Sequence, residues 1–417
     1  MKKHFPKRLN GNMFVPYGRQ TITEKDIQAV MAVLQADYLT TGPKVEEFEA
    51  RFSEYVDASY AVAVSNGTAA LHAAMFAIGI GPGDEVIVPP LTFAATANAV
   101  VYQGGTPVFA DVSPDTLLID PFKVIKKITA KTKAIIAVDY AGQPCDYLSL
   151  RLIAEENNLY LISDACHALG AEYRGRRTGG GPADITVFSF HPVKHITTGE
   201  GGMAVTDQKL LADKMKLFRN HGITSDHRSR QETGTWYYEM TELGYNYRLS
   251  DIQCALGISQ LEQLPDFLSA RRKIARRYDK TFFGQKIIRP LSSGSDIFHA
   301  YHLYVVRIDF SKLKVNRKTV FKKLHGQGIG TNVHYIPVHL HPFYRERFNT
   351  RKGLCPVAEK AYDQILSLPI FPSMTDEQVD FCAETVIEVM ESALPESSVD
   401  TDIFEPFHHI SLGESHA

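Results

Sequence analysis

The chain has no apolar run long enough to cross a bilayer. Its longest weakly polar stretch, residues 86–102, is interrupted by Pro89, Pro90, Thr92, Thr96 and Asn98, whereas a membrane helix needs about 20 consecutive apolar residues. It also lacks an excess of either charge. Lys and Arg number 45 and Asp and Glu 47, a net charge of -2. No basic field favours nucleic acid or an anionic membrane, so an anionic ligand needs a local site. Cysteine is scarce, with five residues scattered along the chain and no CxxC pair. This excludes a disulfide framework and points to reduced thiols in a cytoplasmic protein. Cys166 reads as a small buried hydrophobe. The basic start, MKKHFPKRLNGN, is not followed by the apolar core of a secretory signal. Without such a signal, the sequon Asn66-Gly67-Thr68 is read as chance. Internal repeats and low-complexity segments are absent from the sequence.

What is present is a long, ordinary globular composition: 417 residues, 44% hydrophobic and 22% charged. That suffices for a large α/β unit and a smaller companion. From about residue 60, short apolar β-branched runs alternate with helical patterns. "YAVAVSN", "DEVIVPP", "TPVFADV", "KAIIAVDYAG", "LYLISD", "DITVFSF" and "GGMAVTD" read as strands. Helices are expected between them, near 67–80, 92–105 and 148–157, and after the last at 208–220. The alternation predicts an α/β fold with a mostly parallel central sheet and helices on both faces. A further helix is expected over 247–264. Beyond it, "HAYHLYVVRID" and "GTNVHYIPV" read as strands, and 317–327, 356–366 and 375–391 as helices. The expected division is an arm at 1–20, a large domain at 21–265, a smaller α+β domain at 266–393 and a tail at 394–417.

Three short segments carry chemistry, each at the end of a predicted strand, where open α/β sheets bind ligands. In Ser65-Asn66-Gly67-Thr68, a helix starts on small residues, and its free amides with the Thr68 hydroxyl suit a phosphate. A plain helix cap is the alternative. In "SDACHALG", Asp164 follows an apolar strand, where an ionised carboxylate needs a partner. A protonated ring nitrogen or a closed hydrogen-bond network would serve, and His167 lies three residues on. In "SFHPVKHITTGEGG", Ser189 suits phosphate, and Lys194 is placed to form an imine if its amine is kept neutral by burial and positive neighbours. A solvated surface lysine is the alternative. His191 and His195 flank this lysine without a third zinc ligand, and His334, His339 and His341 read as lining a site or a core rather than holding metal. Phosphate loop, acidic residue and lysine follow in the order found in pyridoxal phosphate enzymes. There an Asp keeps the ring nitrogen protonated and a Lys holds the aldehyde. Phe93 would then stack on the ring; otherwise it is a core aromatic.

With "SNGTAALHAA", "GDEVIVPPLTFAATANAV", "SDACHALGAEY", "FSFHPVKHITTGEGGMAVTD", "ELGYNYRLSDIQCALG" and "VHYIPVH" in order, the chain resembles the DegT/DnrJ/StrS nucleotide-sugar aminotransferases. The resemblance spans about residues 17–390. It implies the fold-type I architecture and pyridoxal 5'-phosphate as cofactor. It implies Lys194 as the cofactor lysine, Asp164 as the ring-nitrogen partner and His167 as a ring neighbour, with Gly67, Thr68 and Ser189 on the phosphate. It also implies that Asn246 reaches the cofactor phosphate of a partner subunit, which requires a homodimer, and that Arg248 meets an anionic group.

Within the family, the likeness is to the 4-aminotransferase branch of pseudaminic acid biosynthesis. This implies a UDP-linked 4-ketosugar and L-glutamate as substrates. It implies sugar contacts at Tyr17, at Asp37, Tyr38, Leu39 and Thr40, and at Val333, His334, Tyr335 and Ile336. Ile336 departs from that branch, which often has lysine there. A sugar dehydratase of the same fold is the competing enzyme, but those relatives carry histidine where this chain has Lys194. A non-catalytic regulator is the competing class, and the intact lysine, Asp164 and phosphate loop oppose it.

Overall fold

The structure, a computed structural model, describes residues 8–9, 12–294 and 296–395. The expected tail from residue 396 on, and residues 1–7 of the expected arm, lie outside the described residues. A seven-stranded sheet forms the centre. Its strands are β1 (Tyr60–Val64), β2 (Glu85–Val88), β3 (Thr106–Phe109), β4 (Thr132–Val138), β5 (Tyr160–Asp164), β6 (Ile185–Ser189) and β7 (Gly202–Thr206). Their spatial order is β1-β7-β6-β5-β4-β2-β3. All neighbours are parallel except β7, which runs antiparallel to β1 and β6. Val62, Ile87, Ile135, Ile162 and Val187 are fully buried, because helices cover both faces of the sheet.

Local chemistry sets where each strand ends and its helix begins. Asn66 caps the helix Gly67–Ala77 by accepting from the Ala69 amide at 2.8 Å. That helix is almost entirely buried, which its alanines permit because they pack closely and sacrifice no side-chain entropy. Its start therefore lies at the carboxyl edge of the sheet. Asp164 ends β5, in register with Val138 of β4 and Val187 of β6. Ser189 ends β6 at the same edge.

The structure corrects several expected elements. Helices Glu24–Leu34 and Pro43–Val56 precede the first predicted strand. The helix expected to stop at 264 runs over Asp251–Phe282 and contains Pro265. An interior proline costs about 3 kcal/mol, but Phe267, Leu268, Ile274, Tyr278 and Phe282 beyond it are buried. Their burial outweighs the lost backbone bond, since each large apolar side chain contributes about 1.5–3 kcal/mol. The segment read as the strand "GTNVHYIPV" is not a strand. It makes one bridge, Asn332 to Ser367. The Val333 amide donates to the Asn332 side chain, and the Val338 amide to the Pro90 carbonyl. Its polar backbone is thus satisfied by side chains and distant loops instead of a ladder.

A second, three-stranded sheet pairs Ile288–Pro290 with Tyr304–Ile308 and the latter with Ile365–Leu368. The end of the long helix and the helices Arg317–Gly326 and Asp376–Glu391 pack on it around a separate core that includes Tyr278, Val306, Leu324, Leu366 and Val386. Among the described residues, no helix is long and apolar enough to cross a membrane.

Candidate active site

A cleft of about 1020 Å³ opens at the carboxyl edge of the central sheet. It is lined by Gly67, Thr68, Phe93, Asp164, His167, Ser189, Lys194, Tyr17, Val333, His334 and Tyr335. Residues separated by more than 300 positions are thereby brought together around one space. Asp37, Tyr38, Leu39, Thr40, Asn246, Arg248 and Ile336 do not line it. Asp37 to Thr40 and Asn246 are exposed on the same chain, and Ile336 is exposed beside His334 and Tyr335. The Arg248 guanidinium donates to the Asn220 side chain at 2.8 Å in a separate recess.

Asp164 is buried, and its carboxylate is held from two sides. The Thr96 hydroxyl donates to Oδ2 at 2.7 Å, and the Cys166 amide to Oδ1 at 3.3 Å. Thr92 Oγ1 lies 2.7 Å from Thr96 Oγ1, extending the network towards the loop that carries Phe93. Phe93 itself is 61% exposed at the mouth. It is therefore a cleft aromatic and not a core one. Thr96 was not singled out from sequence. Only the tertiary contact between the helix Ala95–Tyr102 and the end of β5, made by the Thr96 hydroxyl on Asp164, reveals it.

Lys194 sits in the turn after β6, where its amide donates to the His191 carbonyl at 2.8 Å. Burial lowers the pKa of its amine, and nearby Arg271 acts in the same direction. Nζ lies 3.5 Å from His302 Nε2. His302 was read only as part of a strand. Two histidines just ahead of an apolar strand, His299 and His302, were the available signal, but not a sufficient one. His167 Nε2 pairs with the Tyr335 hydroxyl at 3.0 Å. Its ring packs against that of His302 with centroids 4.4 Å apart. Burial keeps both imidazoles far below their ordinary pKa, so they are neutral.

Gly67 packs directly against the Ser189 turn. A Cβ on Gly67 would lie 2.9 Å from Ser189 Cβ and 3.1 Å from Cys166 Sγ. The helix start thus presents its first amides, which have no intrahelical acceptor, beside the Thr68 and Ser189 hydroxyls. Facing this anion cradle are a buried carboxylate and a half-buried amine. The donor set fits a phosphorylated heterocyclic aldehyde with a basic ring nitrogen, the cofactor that the sequence resemblance implies. The cradle would hold the phosphate, Asp164 the ring nitrogen and Lys194 the aldehyde.

Behind Asp164 lies a second carboxyl group, Asp139, fully buried. Its Oδ1 accepts from the Cys145 amide at 2.9 Å and the Tyr147 hydroxyl at 2.7 Å. Desolvation pushes it up to about 7, those hydrogen bonds oppose the rise and the Asp164 charge adds to it. The unfolded chain releases this proton near pH 4, while the native protein keeps it to about 7. The stability contribution of Asp139 is therefore complete below about pH 4 and is lost as pH rises through about 7. Asp139→Asn should remove this dependence. Relative to the parent, its melting temperature should gain between about pH 5 and about pH 8. Equal displacement at both pH values would reject the buried proton.

Comparisons with known proteins agree with this geometry. The description of the DegT/DnrJ/EryC1/StrS aminotransferase family matches residues 20–387. The spore coat polysaccharide biosynthesis protein SpsC of Bacillus subtilis is 42% identical over 387 residues, covering 92% of this chain and 98% of SpsC. The PLP-form structure of the putative sugar aminotransferase Spr1654 from Streptococcus pneumoniae superposes with a TM-score of 0.86. It is 33% identical and covers 92% of this chain and 100% of its own. Helicobacter pylori PseC, an aminotransferase involved in the biosynthesis of pseudoaminic acid, superposes with a TM-score of 0.85. It is 34% identical and covers 91% of this chain and 100% of its own. The chain belongs to the DegT/DnrJ/EryC1/StrS aminotransferase family, whose aminotransferases depend on pyridoxal phosphate.

Proposed function

We propose that this protein is a cytoplasmic, homodimeric nucleotide-sugar 4-aminotransferase. Its proposed substrate is UDP-2-acetamido-2,6-dideoxy-β-L-arabino-hex-4-ulose, with L-glutamate as nitrogen donor. The products are UDP-4-amino-4,6-dideoxy-N-acetyl-β-L-altrosamine and 2-oxoglutarate. The observation that carries the reading is the convergence of Lys194, Asp164 and the Gly67 helix start on one cleft. The similarity to PseC supports the sugar class.

When bound, pyridoxal phosphate supplies an aldehyde that condenses with amines and a protonated ring that takes up electrons from the reacting carbon. The chain's residues do the rest. The Gly67 and Thr68 amides and the Thr68 and Ser189 hydroxyls hold the phosphate. Asp164, aligned by Thr96, keeps the proton on the ring nitrogen. Lys194, whose amine burial makes a weaker base, takes a proton from the donor carbon and returns one at the sugar's C4. His167, tied to Tyr335, covers the ring side of the cleft. Tyr17, Val333, His334 and Tyr335 wall the sugar side. In the dimer, Asn246 and Arg248 of one copy, with residues 37–40, complete the site of the other.

Gly67→Ala should weaken cofactor binding by about tenfold or more. Its Cβ would force the helix start off Ser189, and such overpacking costs about 1–3 kcal/mol. Titration of the cofactor-free variant with pyridoxal phosphate, read by absorbance, checks this. Unchanged affinity would dissociate the helix start from the phosphate.

A second reading has specific support: a related ketosugar on another nucleotide. Ile336 stands where the pseudaminic acid branch often has lysine, and SpsC belongs by name to spore coat polysaccharide biosynthesis. Mass spectrometry of UDP-, GDP- and dTDP-linked 4-ketosugars incubated with glutamate distinguishes the two. A mass gain confined to a GDP or dTDP sugar would overturn the UDP assignment.

A further inference from the structure

His302 Nε2 faces Lys194 Nζ at 3.5 Å, and the backbone around it is held from several directions. The Ala300 amide donates to the Gly142 carbonyl at 2.9 Å, and the Leu303 amide to the Ala141 carbonyl at 3.1 Å. Arg271, fully buried on the long helix, donates to the carbonyls of Tyr301 at 3.2 Å and Ile370 at 3.0 Å. Gly142 has φ +103°, and a Cβ there would lie 2.8 Å from the His167 carbonyl and 2.9 Å from the His302 amide. The imidazole is thus delivered to Lys194 from the junction between the two sheets. Its ring is flanked by His167 and by His195, at centroid distances of 4.4 and 5.6 Å.

The ring's second nitrogen fixes its tautomer. His302 Nδ1 is buried and has no hydrogen-bond partner among the described residues. A buried N–H without an acceptor is costlier, and rarer, than an under-satisfied acceptor. The proton therefore belongs on Nε2, the nitrogen that faces Lys194. An N–H pointed at an amine can only meet its lone pair, so the amine must be unprotonated. The other groups around Nζ pull in different directions. Asp164 favours the ammonium form, while Arg271 opposes it. His167, His195 and His334 are neutral through burial.

We propose that His302 is a positioning residue for Lys194, donating Nε2–H to the neutral Nζ and holding the free amine aimed into the cleft. This rests on the aminotransferase reading, in which Lys194 must act as a free base between covalent states. His302 selects the reactive protonation state and orients the lone pair without touching substrate.

The test uses cofactor-free protein, so it does not depend on turnover. The acylation rate of Lys194 is measured against pH by peptide mass spectrometry in the parent, His302→Phe and His302→Gln. Phenylalanine keeps the ring packing and removes the donor; glutamine keeps a donor. In His302→Phe, the midpoint should rise by about one pH unit, with about tenfold less reactive amine near neutrality, the equivalent of one hydrogen bond. His302→Gln should stay within about threefold of the parent. An unchanged or lowered midpoint in a folded His302→Phe variant overturns the proposal. As a second measurement, the parent's His302 ring is examined by 15N NMR, with His302→Gln assigning its signals. An Nε2–H tautomer supports the proposal, and an Nδ1–H tautomer overturns it. Borohydride trapping of the parent with pyridoxal phosphate separately tests the function. No cofactor attached to Lys194 would reject the aminotransferase reading, whatever the acylation profile shows.

Discussion

Lys194→Ala is expected to abolish covalent attachment of pyridoxal phosphate and to lower turnover by about ten-thousandfold. The amine has two tasks in the proposed reaction, and alanine performs neither. General-base catalysis alone contributes about 10²–10⁴ in rate, and the loss of the covalent anchor adds to this. The fold should survive, because Lys194 lies in a turn at the cleft and not in a core. The absorbance band of the protein-bound cofactor, and its reduction by borohydride, check the attachment. A variant that still traps cofactor at an unchanged position would remove Lys194 from the mechanism.

The second large effect is expected at Asp164. Asp164→Asn keeps an oxygen that can accept from Thr96 and preserves the volume of the side chain, so the parent's hydrogen-bond geometry can persist. It removes the negative charge that would hold a proton on the ring nitrogen. An ion pair about 4 Å apart at an effective dielectric of about 20 is worth about 4 kcal/mol, which is about a thousandfold in rate. The turnover number should fall by that order while glutamate and sugar still bind. Cofactor absorbance should shift towards the form with an unprotonated ring. Stopped-flow measurement of the glutamate half-reaction isolates the effect, because it excludes the sugar entirely. Half-reaction rates equal to the parent's would mean that Asp164 has another partner.

The fit between sequence and structure is uneven, for physical reasons. The seven strands were legible because they are short apolar runs, most of them buried on both faces, and such runs are distinctive. The three cleft segments were legible because each lies at a strand end, where chemistry concentrates in this architecture. The two helices before residue 60 were overlooked. Both are amphipathic elements whose buried faces pack on the long helix. The segment around His334 was misread because its alternating apolar residues mimic a strand, while its backbone bonds go to side chains and loops. His302 and Thr96 were invisible as site residues. Each matters only through a contact across a large sequence separation, 108 residues to Lys194 and 68 to Asp164.

The sequence by itself determined the α/β class, the order of the central strands along the chain, and that one lysine, one carboxylate and one helix start lie at or just beyond strand ends. These follow from hydrophobic period, strand-end position and side-chain type, all local properties. Only the tertiary structure decided that these groups share one cleft, that Thr96 holds Asp164, and that a neutral imidazole from the segment leading into the second sheet meets Lys194. Protonation state depends on burial and on groups distant in sequence, and both exist only once the sheets have packed together.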